Sequence, residues 1–192
     1  MIKYEKGRLV SGTGMQSMAY IQGRGLLGRC VLPVTRRLRV RNVLRYAVPG
    51  QAHLDIGCGD GYFLKQSPCV TATGIDMRIG DAAVAPGAPL PFPDESFDLV
   101  TMLAVIEHVK DPQFVISEIA RVLRPNGRLI LTTPKKAAEW LIRLYVKDID
   151  DEHESYFTQE RLEKLVQPHL RPLGYHTFLL GLNQSFAAVK KA

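Results

Sequence analysis

The sequence has little cysteine, one tryptophan and no long apolar run. Its three cysteines, Cys30, Cys58 and Cys69, form neither a metal-ligand pair nor an even disulfide set. That spacing predicts no metal site and a reducing, cytoplasmic setting. No stretch approaches the roughly 20 apolar residues of a membrane-crossing helix; the most apolar early segment, "GLLGRCVLPV", is broken by Arg29. The opening "MIKYEKGRLV" lacks an apolar core followed by small residues, so no secretory leader is expected. Acid is scarce at the start. Among residues 1–50, Glu5 alone faces ten lysines and arginines, a net +9, whereas the rest carries fifteen basic against eighteen acidic residues, a net −3. A basic patch over residues 24–45 suits an anionic membrane surface, a phosphorylated substrate or nucleic acid, or is a solvated helix face.

What is present describes an ordinary globular domain. Hydrophobic residues make up 46% and charged residues 23% of 192, enough for one core of useful size. Residues 1–33 are rich in glycine and poor in periodicity, which predicts an arm or lid ahead of a single domain over 34–192. Val40, Val43, Leu44 and Ala47 recur at helical spacing, which predicts a helix over 34–47 that Pro49-Gly50 ends. From there strand and helix alternate. "AHLDI", "VTATGID", "SFDLVTML" and "RPNGRLILTTP" read as buried strands. Helices are expected from Asp60 to before Pro68, over "DPQFVISEIARVL" behind an Asp111 cap, over "KKAAEWLIRLYV", and over "TQERLEKLV" behind Thr158. "YHTFLLG" and "QSFAAVK" read as a closing pair of strands. Continuous apolar strands alternating with helices predict an α/β fold: a doubly wound, mostly parallel, Rossmann-like sheet with an antiparallel C-terminal strand.

The first strand runs into "DIGCGDG", with glycines at 57, 59 and 61. A turn at the carboxyl end of a parallel strand is where open α/β sheets bind ligands. Gly57 permits a positive φ, Gly59 removes a side chain that would block a ligand, and Gly61 lets the next element approach. Asp55, at the strand end, is placed to accept from a ligand amine or a nearby loop. Asp76 lies 21 residues further on, at the end of the second strand, where a carboxylate can accept both hydroxyls of a ribose. Each glycine could serve a tight turn alone, and Asp76 could cap a loop. The combination of strand, glycine turn, helix, strand and acid points to a nucleoside.

The pattern D-x-G-x-G-x-G in "LDIGCGDGYF", the acid in "GID", the stretch "LPFPDESFDLVTMLAVIEHV" and "LRPNGRLILTTP" together resemble the class I S-adenosylmethionine-dependent methyltransferases, of the small-molecule type. The resemblance is close over roughly residues 38–133 and weaker beyond, where "HESYFTQERLEKLV" is similar to a segment preceding the last helix. It implies S-adenosylmethionine as cofactor. It assigns Asp55, Gly57, Cys58, Gly59, Gly61 and Tyr62 to the methionine side, Asp76 to the ribose, Met77 to the adenine, and Met102, Leu103 and Ala104 to the wall where the fourth strand ends. Apolar residues at a strand end are equally read as core. One departure stands out. Only residues 77–89 separate the ribose acid from "LPFPD", too few for a helix and a strand. The third strand and its preceding helix are therefore expected to be shortened or missing, leaving Asp81 as the acid in the adenine region and a more open adenine pocket.

Methyl transfer from a sulfonium is an in-line displacement, in which the protein mainly aligns two reactants and excludes water. His108 is the candidate general base, by its position past the fourth strand and its titration range; the alternative is a packing residue of the local turn. Glu107 carries the same two readings, and His153, Glu154 and Tyr156 could reach the acceptor from the C-terminal segment. "LAVI" occupies the place where enzymes acting on exocyclic base amines resemble D/N-P-P-Y/F, and no cysteine sits near the fourth or fifth strand. Both points turn the acceptor away from nucleic acid and toward a small-molecule or lipid-linked compound, with peripheral membrane contact through residues 24–45. The alternative is a catalytically impaired nucleoside-binding module whose basic arm docks nucleic acid, membrane or a protein. A nicotinamide-dependent oxidoreductase fits the glycine spacing poorly.

Overall fold

The computed structural model describes residues 2–5, 8–11, 26–76, 87–137 and 156–191. The strands are β1 (Ile2–Glu5), β2 (Arg8–Ser11), β3 (Ala52–Ile56), β4 (Thr71–Ile75), β5 (Phe97–Leu103), β6 (Leu123–Pro134), β7 (Leu170–Phe178) and β8 (Asn183–Lys190). The helices are α1 (Leu26–Leu44), α2 (Pro112–Val122) and α3 (Gln159–Val166). All eight strands form one sheet in the order β2-β1-β4-β3-β5-β6-β8-β7. β4, β3, β5 and β6 run parallel, and β8 pairs antiparallel with both β6 and β7.

Strand alternation divides the core into two layers. On one face Leu54, Val100, Leu129, Leu131, Phe186 and Ala188 pack with α2 and α3. On the other, Leu99, Ile130 and Ala187 pack with Phe63 and with Val40 and Val43 of α1. Each fully buried aliphatic side chain contributes about 1.5–3 kcal/mol. The helix starts follow local chemistry. Asp111 accepts from Phe114 N at 3.0 Å with Pro112 in the first turn, and Thr158 accepts from Arg161 N at 3.2 Å. The "LPFPD" loop is pinned to α2: Leu90 N donates to Glu118, and Arg121 donates to the carbonyls of Leu90 and Phe92.

Three expectations need correction. α1 begins at Leu26, not 34, and carries Pro33 inside it; a proline there reads as a first-turn residue and shortens the apparent helix. The helix expected from Asp60 is instead a run of turns closing in one 3-10 turn, Leu64–Gln66, because the six residues between Gly61 and Pro68 are too few for a stable α-helix. Residues 2–5 and 8–11, expected in an irregular arm, form a hairpin whose first strand pairs antiparallel with β4. β1 thus lies beside β4, at the edge where a third parallel strand was expected to be reduced. Residues 77–86, most of the shortened segment and Asp81 included, lie outside the described residues, as does most of the helix expected over "KKAAEWLIRLYV". Among the described residues no helix is long and apolar enough to cross a membrane.

Candidate active site

The turn between β3 and the 3-10 segment is built by backbone constraint. Gly57, Gly59 and Gly61 all have positive φ, at 78°, 53° and 70°. A Cβ at Gly57 would stand 2.2 Å from Val105 Cγ2, so only glycine lets the strand end pass beneath the β5 loop. A Cβ at Gly59 would meet no heavy atom within 4 Å; it would project into the cavity that the turn borders. Gly57 N and Cys58 N both donate to Ile75 O, at 2.8 and 3.1 Å, which ties the turn to the end of β4. Gly59 N donates to Asp76 Oδ2 at 3.0 Å. The two predicted acids are therefore brought to one place, Asp55 beneath the turn and Asp76 beside it.

A cavity of about 170 Å³ opens here. Asp55, Gly57, Cys58, Gly59, Asp60 and Tyr62 border it from below, Leu103 from the end of β5, and Arg36, Arg39 and Val40 from α1. Sequence reasoning did not find the α1 wall. The signal existed: Arg36 and Arg39 fall on the same helical face as Val40 and Val43, the face that turns inward. Arg36 Nη2 pairs with Asp60 Oδ1, and its guanidinium lies 3.8 Å from the Tyr62 ring centroid. Asp60 Oδ1 also accepts from Tyr62 N at 3.1 Å. Arg39 Nη2 donates to Asn183 Oδ1 at 3.2 Å. Burial lowers the Arg39 pKa, an effect that the nearby Glu107 charge opposes.

Of the other predicted residues, Met102 is fully buried in the larger core, one strand position away from the cavity-lining Leu103. Met77 lies outside the described residues, with His153 and Glu154. Burial first, then the Asp55 and Asp76 charges, push the Cys58 thiol up to about 12, which favours its protonated form. Glu107 and His108 sit in a 3-10 turn, Ile106–His108, just past β5. Glu107 is 1% exposed and burial raises its pKa, against the pull of His108 and Arg39. Glu107 Oε2, Thr132 Oγ1 and Arg39 Nε are buried with no hydrogen-bond partner. Buried polar atoms without partners are costly. Thr132 and Thr133, successive on β6, face opposite sides of the sheet.

The arrangement suits S-adenosylmethionine. The cavity joins the main-chain turn at Gly59 to one carboxylate, Asp55, and two guanidinium groups, Arg36 and Arg39, and Asp76 lies beside the turn. Comparison with known proteins agrees. A human protein named probable tRNA methyltransferase 9B is 38% identical over 106 residues, covering 48% of this chain and 23% of that protein, so the chain spans under a quarter of the relatives it matches first. The ubiquinone biosynthesis O-methyltransferase of Aeromonas salmonicida is 33% identical over 144 residues, 59% of either chain. Among solved structures, the complex of the Haloferax volcanii Trm112 methyltransferase activator with a chain described as a methyltransferase aligns with a TM-score of 0.68 at 15% identity, covering 86% of this chain and 95% of that one. Residues 34–169 match the family described as "Methyltransferase domain". That match spans more than half of the sequence, and the chain accordingly belongs to the class I S-adenosylmethionine-dependent methyltransferases.

Proposed function

We propose that this chain transfers a methyl group from S-adenosylmethionine to a small-molecule or lipid-linked acceptor. The observation that carries this reading is the convergence of Asp55, the turn residues Gly57 to Asp60 and two α1 arginines on one cavity, with Asp76 held against that turn by Gly59 N. The cofactor supplies an already activated methyl group. The protein's part is alignment and exclusion of water. Asp55 binds the amino group of the methionine end, Arg36 and Arg39 its carboxylate, and Asp76 the ribose hydroxyls. Leu103 and Val40 keep the reacting centre dry. The acceptor enters over the carboxyl ends of β5 and β6, where Glu107 Oε2 and Thr132 Oγ1 lie without a hydrogen-bond partner. His108 or Glu107 takes the acceptor's proton.

Support for a small acceptor comes from the name of the Aeromonas relative and from the missing D/N-P-P-Y/F stretch. An RNA acceptor is the second reading, favoured by the name of the human relative and by Arg37, Arg41 and Arg45, three exposed cations at four-residue spacing, two on α1 and the third just past its end. Calorimetric titration with S-adenosylmethionine tests the cofactor site. Asp76→Ala is expected to weaken binding by about tenfold or more, the loss of one charged hydrogen-bonding group, and a wild-type protein that binds nothing at millimolar concentration overturns the proposal. Isotope transfer from labelled cofactor into small-molecule extract, lipid extract or tRNA then separates the acceptor classes.

A further inference from the structure

The sheet face beneath α1 carries a row of four buried polar side chains that the methyl-transfer scheme does not use in full. His53 and Asp55 share one face of β3, and Thr101 of β5 lies in register with Asp55. Thr101 Oγ1 donates to Asp55 Oδ1 at 2.6 Å. His53 Nε2 is 2.8 Å from Thr101 Oγ1, and His53 Nδ1 is 3.1 Å from Ser67 Oγ. Exposures are 0% for His53 and Thr101, 2% for Asp55 and 6% for Ser67. The Phe63 ring meets the imidazole edge-on, 5.2 Å between centroids, and closes the row from outside.

Proton counting gives the row a direction. A threonine hydroxyl has one hydrogen. With that hydrogen on an ionised Asp55, the contact from His53 must be an Nε2–H donating to Thr101. The imidazole is neutral, because burial holds its pKa down at about 3, so Nδ1 accepts from the Ser67 hydroxyl. If Asp55 takes up a proton, every bond in the row can reverse and the proton on His53 moves to Nδ1. The only other acceptor for the Thr101 hydrogen is the Leu54 carbonyl at 3.5 Å, a longer contact, so the charge on Asp55 biases the tautomer of His53.

We propose that His53 is a positioning residue for cofactor binding: through Thr101 it favours the ionised form of the Asp55 carboxylate and fixes it beneath the glycine turn. This rests on the amino-group contact given to Asp55 above. The surroundings make such support necessary. Burial raises the Asp55 pKa to about 7, the Thr101 bond opposes that rise, and the Asp76 charge adds to it. The other groups around it are the Cys58 thiol in the turn and Arg36 and Arg39 across the cavity. Without the imidazole donor, Thr101 has less reason to keep its hydrogen on Asp55, and the neutral acid is favoured.

Two substitutions separate a relay from mere packing. The side-chain amide of His53→Gln reaches the place of Nε2 and can still donate to Thr101; that of His53→Asn reaches only the place of Nδ1 and keeps Ser67 alone. Carbon-13 NMR of the ligand-free protein reads the Asp55 midpoint. His53→Asn is expected to raise it by about one pH unit, His53→Gln to leave it near the wild-type value, and His53→Asn to add nothing in a Thr101→Val background. Equal midpoints in wild type and His53→Asn, or additive effects in the double variant, overturn the relay. Binding is then measured at pH 7 with S-adenosylmethionine and with 5′-methylthioadenosine, which lacks the amino acid. His53→Asn is expected to weaken the first about fivefold and the second hardly at all. A midpoint that moves while the two affinities stay in their wild-type ratio supports the relay and overturns the amine contact assigned to Asp55.

Discussion

Asp55 and His53 make opposite demands on pH. The unfolded Asp55 gives up its proton near its ordinary value of 3.8, the folded one near 7. Between those values the folded state holds the extra proton, so this group's contribution to stability is lost as pH rises. The unfolded His53 takes a proton near 6.5, the folded one only near 3, so its contribution is lost as pH falls. From about pH 4 to 6.5 the two slopes oppose each other, each approaching roughly 1.4 kcal/mol per pH unit. Urea unfolding at several pH values should therefore show a shallow wild-type profile, an Asp55→Asn profile that drops toward acid, and a His53→Leu profile that drops toward neutrality. Parallel profiles in all three would refute the opposing slopes. The two acids of the site were legible in the sequence because glycines at 57, 59 and 61 announce a turn and Asp76 ends the next strand. The part played by His53 was not. A histidine inside "AHLDI" looks like any buried strand residue, and its partner Thr101 lies 48 positions away.

At the scale of elements, α1 acts as the outer wall of the cofactor cavity. Its hold on the turn is concentrated in Arg36, which pairs with Asp60 and stacks on Tyr62. The two side chains of the ion pair are 34% and 22% exposed, so the pair contributes at most about 1 kcal/mol to folding. Its effect falls on the cavity instead. Arg36→Ala should leave the thermal midpoint within a few degrees of wild type while S-adenosylmethionine dissociates about fivefold faster in stopped-flow experiments. Unchanged dissociation would mean that α1 does not close the site. The helix was legible from residue 34 onward through Val40, Val43 and Leu44. Its first turns were not, since Pro33 imitates a start. Its arginines looked uniformly solvated because charge alone does not say which face a residue occupies. Spacing does: positions 36, 39, 40 and 43 share one side, and 37, 41 and 45 the other.

For the whole molecule, the alternation of strands and helices from residue 52 onward was readable, down to the antiparallel return of β8. The destination of residues 2–11 was not readable, because pairing between distant strands leaves no local periodicity. Their hairpin covers the β4 edge through four paired residues, from Ile2 against Gly74 to Glu5 against Thr71. Deleting residues 2–11 uncovers the backbone donors and acceptors of that edge, and exposed edges invite association. The shortened protein should scatter light at concentrations where the full chain does not, with a thermal midpoint lowered by several degrees. A monodisperse, equally stable deletion would show that the hairpin is ornamental. The direction of β1 has a practical side. Ile2 lies opposite Gly74, two residues from Asp76, whereas Val189 lies opposite Arg128, near the start of β6 and at the far end of the sheet. An affinity tag fused ahead of Ile2 begins its path close to Asp76, while one fused after Lys190 points away from the glycine turn.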